Sequence, residues 1–120
     1  MDIYREEFME IYKNPMNQGK IPNPSLIEHG VNESCGDEMD LYLKFNGDIL
    51  EDVSFEAKSC SVGLVSSALL TEEFKGKTKQ EILNFSKEEL LKLLGINLTT
   101  SRIKCALLPL ETFHKAVQNK

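Results

Sequence analysis

The residues best suited to chemistry in this chain are three cysteines, Cys35, Cys60 and Cys105. Three is an odd number, so they cannot all pair within one chain. In a reducing compartment, thiols serve as metal ligands or nucleophiles more readily than as structural crosslinks. Cys35 precedes an expected strand in Ser34-Cys35-Gly36-Asp37, Cys60 stands where a strand gives way to a helix, and Cys105 lies near the start of the last expected helix. Each is thus at the end of a regular element, where a side chain reaches solvent or a shared cleft. A thiolate at a helix start is favoured by the helix dipole and by free backbone N–H groups, which marks Cys60 as an acidic thiol. Asp37 adds an oxygen close to Cys35. Three thiolates and a carboxylate suit zinc or iron, and the single oxygen makes such a site more labile than four thiolates would be. The plain alternatives are small core residues for the cysteines and a turn residue for Asp37. Arg102 and Lys104 stand just before Cys105; two cations there would stabilise a thiolate or offset an anionic metal centre, or simply solvate a helix start. A cysteine–histidine nucleophile pair has only His29 and His114 to draw on. His114 is about two and a half turns beyond Cys105 at ~3.6 residues per turn, and His29 reads as a loop residue. There is no Cys-x-x-Cys pair, which weighs against a structural zinc module.

The elements that must position these side chains are legible. Residues 3–12 place Tyr4, Phe8, Ile11 and Tyr12 on one helical face, and Asn14-Pro15 ends that helix. Residues 14–34 are rich in Asn, Pro, Gly and Ser and read as a long connection with a short strand near Leu26–Val31; such stretches are often functional. Met39, Leu41, Leu43 and Phe45 alternate with Asp40, Tyr42 and Lys44, and Val53, Phe55 and Ala57 alternate with Asp52, Ser54, Glu56 and Lys58. Asn46-Gly47 between them is a hairpin signal. The hairpin provides a geometric check. Cys35 and Cys60 lie about twelve residues on either side of the turn, so cross-strand pairing brings both thiols to one end of it.

From Ser61 the period changes to helical, with Val62, Val65, Leu69 and Leu70 as the expected stripe, ending near Gly76. Thr78 with Glu81, and Ser86 with Glu89, are capping boxes that open two short helices, and Gly95 is a helix stop. A last helix follows Thr99–Ser101, with Ile103, Ala106, Leu107, Leu110 and Val117 on its apolar face. Pro109 cannot donate to the Cys105 carbonyl, and a bend is expected beside that cysteine. The predicted class is α+β: a small antiparallel sheet of about three strands with helices packed on one face.

The chain has 120 residues, 41% of them hydrophobic, which fits one domain spanning 1–120 with its own core. The net charge of -5 with no basic stripe argues against nucleic-acid binding. No segment reaches the length of a membrane span, and the charged, amphipathic N-terminus has no apolar signal core. The expectation is a cytoplasmic protein that binds neither nucleic acid nor membrane, as a monomer or dimer.

Several motifs, in order, carry a resemblance. Asn14-Pro15-Met16-Asn17-Gln18-Gly19, Ser34-Cys35-Gly36-Asp37, Cys60 to Glu72, Phe74-Lys75-Gly76-Lys77-Thr78 and Arg102-Ile103-Lys104-Cys105-Ala106 resemble the corresponding segments of IscU/NifU N-terminal-type scaffolds. The match runs over nearly the whole chain. The resemblance implies a SufE/NifU-like fold and a carrier rather than an ordinary enzyme. Such a protein receives sulfur from a cysteine desulfurase, assembles a transient [2Fe–2S] cluster, and passes it to apo iron–sulfur proteins or carrier proteins. It implies Cys35, Asp37, Cys60 and Cys105 as the cluster ligands, able to hold a zinc or iron ion instead. It also implies Cys105, and next Cys35, as persulfide acceptors. Many IscU proteins have His where this chain has Lys104, and an LPPVK-like loop where it has Leu98-Thr99-Thr100-Ser101-Arg102. The Arg-x-Lys-Cys pattern is closer to the SufU branch, which resembles a zinc-dependent sulfur relay. The 44 residues between Cys60 and Cys105 match the short, IscU-like form.

Overall fold

The computed structural model describes residues 3–33, 36–95, 98 and 100–118; Cys35 lies outside them. Helix α1 (Ile3–Lys13) is followed by strands β1 (Leu26–Asn32), β2 (Asp37–Asn46) and β3 (Ile49–Lys58), then helices α2 (Ser61–Phe74), α3 (Lys79–Asn84), α4 (Lys87–Leu94) and α5 (Thr100–Gln118). The strands form one antiparallel sheet in the order β1-β2-β3.

The alternating pattern sets the inner face. Met39, Leu41, Leu43, Val53 and Phe55 are all buried, and α2 and α5 pack on them. On the same face, Gly30 of β1 lies against α5 so closely that a Cβ there would come within 2.0 Å of Thr112 Oγ1. Glu28 reaches Lys115 of α5 at 3.5 Å. The outer face is less polar than its alternation suggests. Tyr42 and Ser54, directly opposite across β2 and β3, are both buried. The Tyr42 hydroxyl donates to Glu56 Oε1 at 2.6 Å. That bond to a carboxylate, with burial second, pushes the tyrosine pKa up to about 12.

The hairpin turn is one residue later than Asn46-Gly47. Asn46 pairs with Ile49, leaving Gly47 and Asp48 as the two turn residues. Gly47 has φ +62 and Asp48 is not among the positive-φ residues. Glycine first in a two-residue loop is the chemistry of a II′ turn. A register shift between Lys44 and Phe45 passes over Glu51 of β3, and the pairing then runs on to Glu38 opposite Lys58, so the far ends of the two strands lie side by side.

The long connection after α1 is held by specific bonds. Phe55 N–H donates to Asn17 O at 2.9 Å and Gly19 N–H to Phe55 O at 2.8 Å, which ties the segment to β3. Asn17 adopts φ +65, a region Asn tolerates better than most residues. Its side-chain amide donates to Thr71 Oγ1 at 3.1 Å and Glu72 Oε1 at 3.2 Å, and its Oδ1 accepts from Lys75 Nζ. One asparagine thus joins loop, sheet and α2.

Helix α2 differs from the expected single stripe. Val62, Gly63, Val65, Ser66, Ser67, Ala68, Leu70, Thr71 and Phe74 are buried, while Leu69 is only partly so. The helix is enclosed by α1, α4, α5 and β3. A helix buried on most sides cannot keep a polar face, so its hydroxyls turn to carbonyls. Ser67 Oγ donates to Gly63 O at 2.8 Å, Thr71 Oγ1 to Ser67 O at 2.8 Å, and Ser66 Oγ to Ala106 O of α5 at 2.7 Å. Both capping boxes form as expected, and Gly95 closes α4 with φ +68. Helix α5 runs unbroken through Pro109. Among the described residues, no helix is long and apolar enough to cross a membrane.

Candidate metal and sulfur site

Three elements end at one place. Asp37 is the first residue of β2, Cys60 is the N-cap of α2, and Cys105 lies in the second turn of α5. One carboxylate oxygen of Asp37 and the two sulfurs all lie within 4.8 Å of one another. Asp37 is 7% exposed and Cys105 6%, whereas Cys60 is half-buried. The cluster is therefore reached from the Cys60 side.

Asp37 Oδ2 is buried with no hydrogen-bond partner among the described residues. Buried polar atoms without partners are rare, because each forfeits its hydration, at a cost of about 1–3 kcal/mol. A buried carboxylate with an unpartnered oxygen, beside two thiols, fits a cation, and the set of two sulfurs and one oxygen suits zinc or iron.

The electrostatics around Cys60 run in one direction. Burial pushes its thiol up. The amide of Gly63, a hydrogen bond with Cys105, the amide of Val62 and the Arg102 side chain together outweigh that, and the pKa is lowered. No close side-chain cap bond forms at this helix start, so the first-turn amides act on the sulfur instead.

Gly63 makes this arrangement fit. A Cβ there would lie 1.8 Å from Ser59 Oγ and 2.8 Å from Ser59 Cβ, and 3.6 Å from the Cys105 carbonyl oxygen. The missing side chain lets the segment before α2 fold over its first turn, while the Cys105 carbonyl of α5 stands at ordinary contact distance. Ser66 secures the approach from below through the Ala106 carbonyl. Gly63, Ser66 and Asn17 are supports whose roles do not stand out in the sequence. The available signal for Gly63 is a helix-weakening residue in the first turn beside a candidate ligand.

The other candidates separate. Arg102 reaches Cys60, while Lys104 lines a groove of about 450 Å³ with Val31, Asn32, Glu33, Leu107 and Glu111. Cys35 lies outside the described residues. His29 is on the outer sheet face with Nδ1 2.8 Å from Asp40 Oδ1, and His114 Nε2 is 3.0 Å from the Ile82 carbonyl oxygen. Neither belongs to the cluster, so among the described residues no Cys–His pair forms.

Comparison with known proteins agrees with this geometry. The zinc-dependent sulfurtransferase SufU of Bacillus subtilis is 33% identical over 96% of this chain and 89% of its own length. The iron–sulfur cluster assembly scaffold protein IscU of Aquifex aeolicus is 34% identical over 97% of this chain and 74% of its own. The crystal structure of a candidate iron–sulfur cluster assembly scaffold for the SUF system, from Fervidobacterium islandicum, superposes with a TM-score of 0.82. It is 32% identical and covers 93% of this chain and 94% of that one. The model of the NifU-like N terminal domain matches residues 3–119, and this chain belongs to that family.

Proposed function

We propose that this protein is an iron–sulfur cluster assembly scaffold, one domain spanning residues 1–120. It receives sulfur from a cysteine desulfurase, builds a [2Fe–2S] cluster as cargo, and hands it to apo-proteins or carriers. The observation that carries this reading is the meeting of Asp37, Cys60 and Cys105 at the ends of three elements, in a chain of this family. Cys35, two residues before Asp37, completes the ligand set in the proposal. Asp37 is its weak member: a carboxylate binds soft metals less tightly than a thiolate, which favours release of the cargo. Arg102, which reaches Cys60, serves as the supporting cation, while Lys104 faces the neighbouring groove. The protein acts as a carrier in the cytoplasm rather than as a turnover enzyme.

A second reading has a specific basis, the 33% identity with a zinc-dependent sulfurtransferase. In it, zinc occupies the same residues and the protein relays sulfur. One experiment separates the two: anaerobic reconstitution with ferrous iron, cysteine and a cysteine desulfurase, followed by visible absorption after desalting. The scaffold retains charge-transfer bands, and Cys35→Ser loses them. No retained bands in the wild type, with desulfurase turnover accelerated only by zinc-loaded protein, would replace the scaffold with the relay.

A further inference from the structure

We propose that Cys60 is a resolving thiol that expels sulfane sulfur from Cys105 as sulfide. The step rests on the reading above, in which Cys105 accepts a persulfide. Three observations carry it. The two sulfurs lie within 4.8 Å and interact directly. Cys105 is 6% exposed, so the inner sulfur of a Cys105 persulfide is shielded from thiols in solution, while Cys60 is already beside it. Ser66 Oγ donates to Ala106 O at 2.7 Å, which holds the start of α2 against the turn of α5 that carries Cys105, so the two sulfurs are kept near each other by the packing of their own helices.

The chemistry balances without an external reductant in the step itself. The Cys60 thiolate attacks Sγ of the Cys105 persulfide. The Cys60–Cys105 S–S bond forms, and the bond from Cys105 Sγ to the outer sulfur breaks. The outer sulfur leaves with the bonding pair and its own proton as HS⁻, and the proton lost by Cys60 passes to solvent. Counted from the two thiols, the pair gives up two electrons, which is what a sulfane sulfur needs to become sulfide. A dithiol or an equivalent two-electron donor must then reduce the disulfide before the cysteines can act as ligands. Sulfide production and ligand availability are therefore coupled: each sulfide released leaves the site closed until reduced.

The test uses the full chain under chelator, charged by a cysteine desulfurase and one equivalent of cysteine, with reductant absent. Sulfide and the cysteine-containing peptides are followed by mass spectrometry over time. The wild type is expected to release about one sulfide per chain, with a matching Cys60–Cys105 disulfide lighter by two hydrogens. Cys60→Ser is expected to hold its Cys105 persulfide, heavier by one sulfur, at least about tenfold longer, since an intramolecular thiol acts at high effective concentration. The disulfide in the wild type is independent of how the variant folds. Equal persulfide lifetimes, or a disulfide that instead joins Cys35 to Cys105, would overturn the role of Cys60. No persulfide on Cys105 in either protein would overturn the acceptor reading, and the resolving step with it.

Discussion

Three helices of this protein begin in the same fold with opposite solutions to the same problem. The first amides of a helix have no partners within it. At α3 and α4 they are satisfied locally: Thr78 and Ser86 accept from the Glu81 and Glu89 amides, and the glutamates accept in return from the cap amides. At α2 a cysteine takes the cap position without a regular side-chain cap bond, and the first-turn amides bear on its sulfur instead. Nearby, Asp37 Oδ2 and Ser59 Oγ are buried without partners among the described residues. Where the fold needs only a helix start, polar groups close on each other. At the start of α2, beside Asp37 and Cys105, polar groups are left open to act on something else.

The largest break in that comparison is expected from Gly63→Ala. Alanine is the better helix former by about 1 kcal/mol, so at α3 or α4 a change of this kind would help. At α2 the new Cβ would meet Ser59 Cβ at 2.8 Å, and overpacking costs about 1–3 kcal/mol. Net destabilisation in chemical unfolding is expected, with zinc affinity falling about tenfold as the supporting shell shifts. Removing the obstacle in Gly63→Ala/Ser59→Gly should recover much of the stability. An unchanged unfolding midpoint for Gly63→Ala would mean that the close approach at α2 is not demanding.

A smaller effect is expected on the other side of the comparison. Thr78→Ala removes one half of a capping box and should cost about 1 kcal/mol, with no change in zinc affinity measured by competition with a chelator. The second half of the box has its own pH signature. The Thr78 amide holds the Glu81 carboxyl below its usual range, so this contribution is present at neutral pH and is lost as acid titrates the carboxylate. A loss of zinc affinity in Thr78→Ala would show that the two helix starts are not independent.

Most of this architecture is legible in the residues themselves. The capping boxes and the hairpin rest on short-range chemistry that a few side chains specify, and both are found, with the turn displaced by one residue because Gly47 fills the first turn position rather than the second. The meeting of Cys60 with Asp37 follows from strand register, which an alternating pattern fixes. The arrival of Cys105 does not, since it depends on how α5 packs, and nothing local encodes that. Helix α2 hides more. Its apolar period suggests one stripe, yet Ser66, Ser67 and Thr71 are buried because their hydroxyls find carbonyls, a compensation invisible to hydropathy. Asn17 and Gly63 are equally quiet: one acts through a left-handed backbone and three side-chain partners, the other through an absent Cβ.

The smallest expected effect on stability is also the sharpest, because its sign is opposite. Serine is a preferred N-cap and cysteine is not. Cys60→Ser should therefore leave the metal-free fold unchanged or a few tenths of a kcal/mol more stable, as the hydroxyl takes over the Gly63 amide that now acts on sulfur. The same variant should lose zinc retention on desalting, since a hydroxyl is a poor ligand at neutral pH where a thiolate is a good one. Thr78→Ala would then cost stability and spare the metal, while Cys60→Ser would spare stability and lose the metal. If metal-free Cys60→Ser unfolds more easily by about 1 kcal/mol or more, Cys60 is holding the core together. The open cap of α2 would then be a packing feature, not a reserved site.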